Sequence, residues 1–261
     1  MMSITKPLQS IGEAFLALCQ MIGEVVLFAL RSIKPLFTAP YYFKQIWKQI
    51  VDIGFYSLPV IGLTAIFTGA VLALQSYSGF SRFSAESSIP TVVVLSITRE
   101  LGPVLAGLMV AGRIGAAFAA EIGTMRVTEQ IDALTTLSIN PFRYLVFPRL
   151  IAGLLMLPAL VLVTDIIGVL GGYLVSVYKL GFSAEPYLHN TLQFLEVRDV
   201  VSGLVKAAAF GFIISLMGCY HGYQSRGGAQ GVGAATTNAV VSSSILILLF
   251  NYMITELFFA L

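Results

Sequence analysis

The sequence predicts an all-α integral membrane protein, with an N-terminal interfacial amphipathic helix, five transmembrane helices and a cytoplasmic coupling helix between spans two and three. Three observations carry the membrane expectation. The 261 residues are 57% hydrophobic and 11% charged, against about a quarter charged in soluble domains, and the mean hydropathy is +0.88. Five apolar runs lie near 53–76, 90–119, 150–178, 199–220 and 239–261, and each reaches the roughly 20 residues that a hydrocarbon core of about 30 Å requires. The runs are continuous, whereas a barrel needs alternating segments of about 10 residues. Residues 1–50 form the interfacial helix and an elbow, and residues 51–261 form the five-span domain.

The first element is "IGEAFLALCQMIGEVVLFALRSI", residues 11–33. Its polar members Glu13, Gln20, Glu24 and Arg31 fall within a stripe roughly 40° wide on a helix. That geometry suits a helix lying in the interface with its polar edge to water; a true span with a polar stripe against other helices fits the same pattern. The elbow "KPLFTAPYYFKQIWKQI" mixes Lys34, Lys44 and Lys48 with Tyr41, Tyr42, Phe43 and Trp47, residues that anchor at headgroup level. With five spans, one side collects ten basic residues: Lys6, Arg31, Lys34, Lys44, Lys48, Arg113, Arg126, Arg143, Arg149 and Arg226. The other collects Arg82, Lys179 and Arg198. The positive-inside rule puts the N-terminus in the cytoplasm and the C-terminus outside.

Span one ends in "LALQSYSGF", which offers Leu72, Leu74, Tyr77 and Phe80 to acyl chains, although such residues equally serve the core or face the bilayer. Span two carries Arg99 and Glu100 about 14 Å deep, where each unpaired charge costs at least about 2.5–3.5 kcal/mol. Their side chains point about 100° apart on a helix, so they neutralise one another poorly. Lys206 enters span four to a comparable depth, so Glu100 and Lys206 are expected to meet. Asp165 is mid-way along span three. In span two, Pro103 stands three residues after Glu100 and should kink the helix, because it lacks an N–H and its ring presses on the Arg99 carbonyl. Gly107, Ala111, Gly115, Ala119 and Gly123 recur every four residues, a stripe that lets another helix approach closely without saying which.

Between spans two and three sits a charged island, "EIGTMRVTEQIDAL", residues 121–134. Read as a helix, Met125, Glu129 and Asp132 share a face by i, i+4, i+7 spacing, while Ile131 and Leu134 are free to pack on the bundle. Thr128 stands where it could cap a short helix. Such a helix, carrying Glu121, Met125, Arg126, Glu129 and Asp132, suits seating in a groove of a soluble partner. A solvated loop accounts for the same charges.

The wording of this region adds to that reading. The run "RELGPVLAGLMVAGRIGAAFAAEIGTMRVTEQIDALTTLSINPFRYLVFPR", residues 99–149, closely resembles the MlaE family of ABC-transporter permeases, and "GAVLALQSY", "GGYLV", "HGYQS" and "GAATTNAVVSSS" extend the likeness over most of the chain from residue 50. The resemblance implies a homodimeric permease of the bacterial inner membrane that moves phospholipid to or from a periplasmic MCE-domain partner, in the service of outer-membrane lipid asymmetry. It implies a separate cytoplasmic ATPase holding ATP and Mg, docked on the island, and it admits a small STAS-domain protein. It places Glu100 and Lys206 at a central lipid cavity or gate, and Arg99 and Asn251 are read as lining it with them. An acid is common in that family near Asn251; here the position is neutral and Glu256 follows, which departs from the pattern.

Other classes fit less well. No G-x-x-x-x-G-K-[ST] phosphate loop occurs, and "GGAQGVG" at 227–233 reads as a flexible cytoplasmic loop. The chain is thus not expected to be an enzyme or to carry a cofactor. Cys19 and Cys219 have no metal-ligand spacing and suggest packing. The formal charge of +2 offers no nucleic-acid surface. No cleavable signal peptide is evident at the N-terminus. A secondary transporter using Arg99, Glu100, Asp165 and Lys206 as an ion relay is the alternative, but five spans do not divide into two repeats. A structural anchor leaves the deep charges unexplained.

Overall fold

The computed structural model describes residues 5–37 and 41–259. Residues 38–40 of the elbow and residues 260–261 at the end of the fifth expected span lie outside the described residues. Regular structure among the described residues is helical throughout, and six helical stretches are long and apolar enough to cross a membrane. The protein is a multi-pass membrane protein.

Helix α1 spans Thr5–Ile33, α2 spans Phe43–Gly54 and α3 spans Leu58–Phe80. The second long rod is built from α4, Ile89–Ser96, α5, Gly102–Val110, and α6, Ala116–Val127. Wide π-type turns at Ile97–Leu101 and Ala111–Gly115 join them without breaking the helix. A short α7 covers Gln130–Thr136, and another wide turn at Phe142–Val146 leads into α8, Phe147–Tyr178. On the opposite end lies α9, Ala184–Gln193, followed by α10, Val197–Tyr223, and α11, Gly228–Phe259.

Apolar chains already surrounded by lipid gain little from meeting each other, so close packing of small residues must hold such a bundle together. α3 lies along α8, and α10 lies against α8, α6 and α11. At the α8–α10 crossing, Gly153 and Gly211 meet backbone to backbone, and any side chain at Gly211 would strike the Gly153 carbonyl. The small-residue stripe of the second rod is turned inward: Gly107 faces Phe210 and Ile247, and Gly115 faces Ile214 and Ser243. Its neighbours are therefore α10 and α11 of the same chain.

Helix α1 meets the bundle near its end, where the Phe28 ring lies 5.2, 5.6 and 5.8 Å from those of Phe142, Tyr220 and Tyr223. Most of its other large apolar residues, including Phe15, Ile22, Val26 and Leu30, are exposed. Cys219 is buried, in keeping with a packing role, whereas Cys19 is exposed.

One expectation fails in the glycine-rich segment 227–233. It is not a loop beyond its first residues: Gly227 and Gly228 take positive φ of 83° and 68° to turn the chain, and α11 begins at Gly228. Those left-handed conformations cost glycine little, and the run that follows is carried into helix by the long apolar segment it leads.

Candidate functional site

The wide turn Ile97–Leu101 follows from its neighbours Gly102 and Pro103. Proline has no N–H, so the Arg99 carbonyl loses its normal i+4 donor. The backbone widens instead, with the Gly102 N–H bonded to the Ile97 carbonyl. The orphaned Arg99 carbonyl accepts from Lys206 Nζ at 2.8 Å. The same ammonium group donates to Glu100 Oε1 at 2.8 Å.

Lys206 is fully buried, while the Glu100 side chain is 38% exposed. Glu100 also accepts from Thr255 Oγ1 on Oε1 at 2.9 Å and from Asn251 Nδ2 on Oε2 at 2.8 Å. The neutral residue at 251 therefore serves as a donor to Glu100, joining α11 to the pair formed by the second rod and α10.

Arg99 leaves the same turn in another direction. Its Nε donates to Asp199 Oδ1 at 2.7 Å, and its guanidinium lies 4.5 Å from the centre of the Phe259 ring. Asp199 is fully buried, and its Oδ2 accepts the Glu196 N–H that opens α10. Asp199 and Lys206 are seven residues apart, so they share a face of α10 and lie about 10 Å apart along it. One face of α10 thus answers two neighbouring charges of opposite sign. The Arg99 side chain remains 34% exposed.

Asp165 does not join this cluster. It is buried on α8 against Gly102, and its Oδ1 has no hydrogen-bond partner among the described residues. A Cβ at Gly102 would collide with that oxygen and would stand 2.8 Å from the Ile97 carbonyl.

At the other end of the second rod, the island is two helices and not one. Helix α6 runs to Val127; Glu129 adopts a left-handed conformation with φ of 59°, and α7 starts at Gln130. This overturns the expected common face. Met125 packs half-buried on the core, and Glu129 and Asp132 are exposed beyond the break. Thr128 does not cap α7, since its hydroxyl donates back to the Thr124 carbonyl at 2.7 Å. The break is a tertiary effect: it lets Ile131 bury completely against the bundle. Arg126 Nη1 bridges it to Asp132 Oδ1 at 2.7 Å. Glu121 sits at the rim, paired at 2.7 Å with the buried Arg149.

The family described as Permease MlaE matches residues 46–257. The chain belongs to the MlaE permease family. It is 65% identical over 250 residues to a "Probable ABC transporter permease protein" of Rickettsia bellii, covering 96% of each chain. It is 38% identical over 237 residues to "Protein TRIGALACTOSYLDIACYLGLYCEROL 1, chloroplastic" of Arabidopsis thaliana, covering 91% of this chain and 66% of that one. It is 35% identical over 221 residues to the "Intermembrane phospholipid transport system permease protein MlaE" of Haemophilus influenzae, covering 84% of each. Membership makes it an ABC-transporter permease subunit, a class that is not itself catalytic. Among the described residues, no group of three or more His, Cys, Asp or Glu is placed to hold a metal.

Within this MlaE-family fold the four residues suggested for acyl chains divide. Leu72, Tyr77 and Phe80 pack onto Ala73, Ile89, Val93 and Ile97, and Leu74 is half-buried. Leu72 also edges an open groove of about 420 Å³ shared with Leu101, the residue after Glu100. Sequence reasoning missed Asp199. The signal was present: an acid follows Arg198 at the mouth of an apolar span, seven residues before Lys206.

Proposed function

We propose that the chain is the permease subunit of a phospholipid transporter, working as a homodimer with a cytoplasmic ABC ATPase and a periplasmic MCE-domain protein at the bacterial inner membrane. The N-terminus and α7 lie on the cytoplasmic side, the C-terminus lies on the periplasmic side, and α1 lies along the interface. ATP and Mg belong to the ATPase chain. The assembly accepts a small STAS-domain protein and maintains outer-membrane lipid asymmetry.

The observation that carries the reading is the wide turn at 97–101. It sets a half-exposed Glu100, pinned by Lys206, Asn251 and Thr255, beside a half-exposed Arg99 bonded through Nε alone. A guanidinium with free terminal nitrogens suits a lipid phosphate, and the neighbouring groove edged by Leu72 and Leu101 suits a chain. The name of the Haemophilus relative supports phospholipid as the cargo. An ion relay gains no such support: the charges close into two local pairs, with Asp165 outside both.

Coupling rests on α7, seated by Ile131 and presenting Asp132 outward, with Glu129 exposed at the break before it. The test is reconstitution with the ATPase. Glu129→Lys/Asp132→Lys should abolish stimulated ATP hydrolysis and complex formation, and undiminished stimulation would remove α7 as the docking element. In the same vesicles, Glu100→Met should stop transfer of a fluorescent phospholipid while ATPase binding persists.

A further inference from the structure

A second cavity, remote from the charge cluster, lies at the inner end. Helix α1, the end of α6 and the α10–α11 connection enclose a cleft of about 420 Å³. It sits at the level of Tyr220, fourteen residues beyond Lys206 on α10, which places it roughly 20 Å along the helix from that residue.

Three arginines line the cleft from three separate elements: Arg31, Arg126 and Arg226. Arg126 is shared with Asp132 and stands 5.7 Å from the Tyr223 ring centre. Arg31 and Arg226 make no ion pair or hydrogen bond among the described residues. The acid on the wall, Glu24, does not neutralise them. Its carboxylate accepts instead from the Tyr220 hydroxyl at 3.2 Å, Gln224 Nε2 at 3.4 Å and Gln20 Nε2 at 3.1 Å. Positive charge remains in excess after Glu24 and Asp132 are both counted, and a concave site concentrates it.

We propose that this cleft binds the phosphate group of a phospholipid from the adjoining leaflet. Guanidinium forks match phosphate oxygens in a bidentate geometry that an ammonium does not reproduce. The wall beside them is apolar, formed by Leu27 and Phe28. The exposed face of α1, with Val26, Leu27 and Leu30, continues from that wall along the surface an acyl chain would follow. A free phosphate ion would use the arginines but not the wall. The site is independent of the proposed transport path and needs only the membrane location of the chain.

Native mass spectrometry of the full-length chain, purified in detergent and stripped of lipid, tests this. Phosphatidylglycerol, a diacylglycerol with the same tails, and inorganic phosphate are titrated separately. Losing charge-assisted bonds from two arginines should weaken one phosphatidylglycerol site by at least about 100-fold in Arg31→Ala/Arg226→Ala. Arg31→Lys/Arg226→Lys should retain it in part. Lys206→Met should leave this lipid in place, which separates it from any lipid near Glu100. Equal phosphatidylglycerol binding by the unsubstituted and doubly Ala-substituted chains overturns the proposal, as does equal uptake of diacylglycerol. Saturation by inorganic phosphate with no lipid bound overturns the lipid assignment.

Discussion

Removing Glu100 and removing Lys206 should not cost the same, although the two form one ion pair. In Glu100→Met, the Lys206 ammonium stays at zero exposure with the Arg99 carbonyl as its remaining acceptor. Breaking a buried pair from this side costs about 3–5 kcal/mol. In chains of comparable size about 1 kcal/mol shifts Tm by roughly 2–4 °C, so the lower bound is a fall of about 6–12 °C. In Lys206→Met, the orphaned Glu100 is 38% exposed and keeps Asn251 and Thr255. The main loss is then an unpaired Arg99 carbonyl, about 1–3 kcal/mol. Far-ultraviolet circular dichroism melts of the purified protein read both. The decisive comparison is Glu100→Met/Lys206→Met, which removes the stranded charge and should melt several degrees above Glu100→Met alone. If adding Lys206→Met to Glu100→Met leaves Tm unchanged or lowers it, the buried ammonium is not what the pair neutralises, and the reasoning fails.

Three further outcomes follow from the same contacts. Pro103→Ala returns an N–H to the second rod, so Lys206→Met should cost less in that background, with a coupling of about 1 kcal/mol in a double-mutant melt cycle. Gly102→Ala forces a methyl group toward Asp165 and the Ile97 carbonyl, an overpacking cost of about 1–3 kcal/mol, and Asp165→Ala should recover part of the lost Tm. On α7, Ile131→Ala should destabilise by about 2–5 kcal/mol because the side chain is fully buried, whereas Arg126→Ala breaks an exposed pair and should cost below about 1 kcal/mol; matched melts would distinguish seat from surface.

The residues legible in the sequence are those whose environment is set by hydrophobic run length and depth. Glu100 and Lys206 stand at similar distances from their span ends, and a buried charge needs a partner at its own level. The small-residue stripe from Gly107 to Gly123 marked a packing face, but helix periodicity cannot identify the neighbour, which is α10 and α11. The break at Glu129 was hidden because the i, i+4, i+7 pattern runs through it. A left-handed non-glycine residue is locally unfavourable, and what selects it is the burial of Ile131, a contact distant in sequence. Asp199 was hidden for a related reason. A charge at the mouth of a span resembles a solvated terminus until Arg99 reaches it from 100 residues away.

These features bear on how work at one end of the molecule reaches the other. The second rod is continuous from Ile89 to Val127, about 58 Å at 1.5 Å per residue. Its Val127 end is tied to α7 by the Arg126–Asp132 bridge, and its first third carries the turn that holds Arg99 and Glu100. From Arg126 onward a displacement of α7 needs no further relay of side chains; the rod itself joins the two places. Two wide turns interrupt its regular pitch, at 97–101 and 111–115, and π-type turns of this kind are frequent at functional sites. The second is anchored by Arg113, whose guanidinium donates to the Asp52 carbonyl and to Ser57 at the α2–α3 junction. A shift at 111–115 is thus opposed by α2 and α3, and one at 97–101 by Lys206 and Asp199 on α10. Arg113→Met should then loosen the restraint at 111–115 while leaving the Arg99–Asp199 and Glu100–Lys206 pairs intact. In an assembly driven by an ATPase, hydrolysis should persist with lipid transfer reduced; transfer and hydrolysis falling in equal proportion would mean that the rod transmits nothing through that turn.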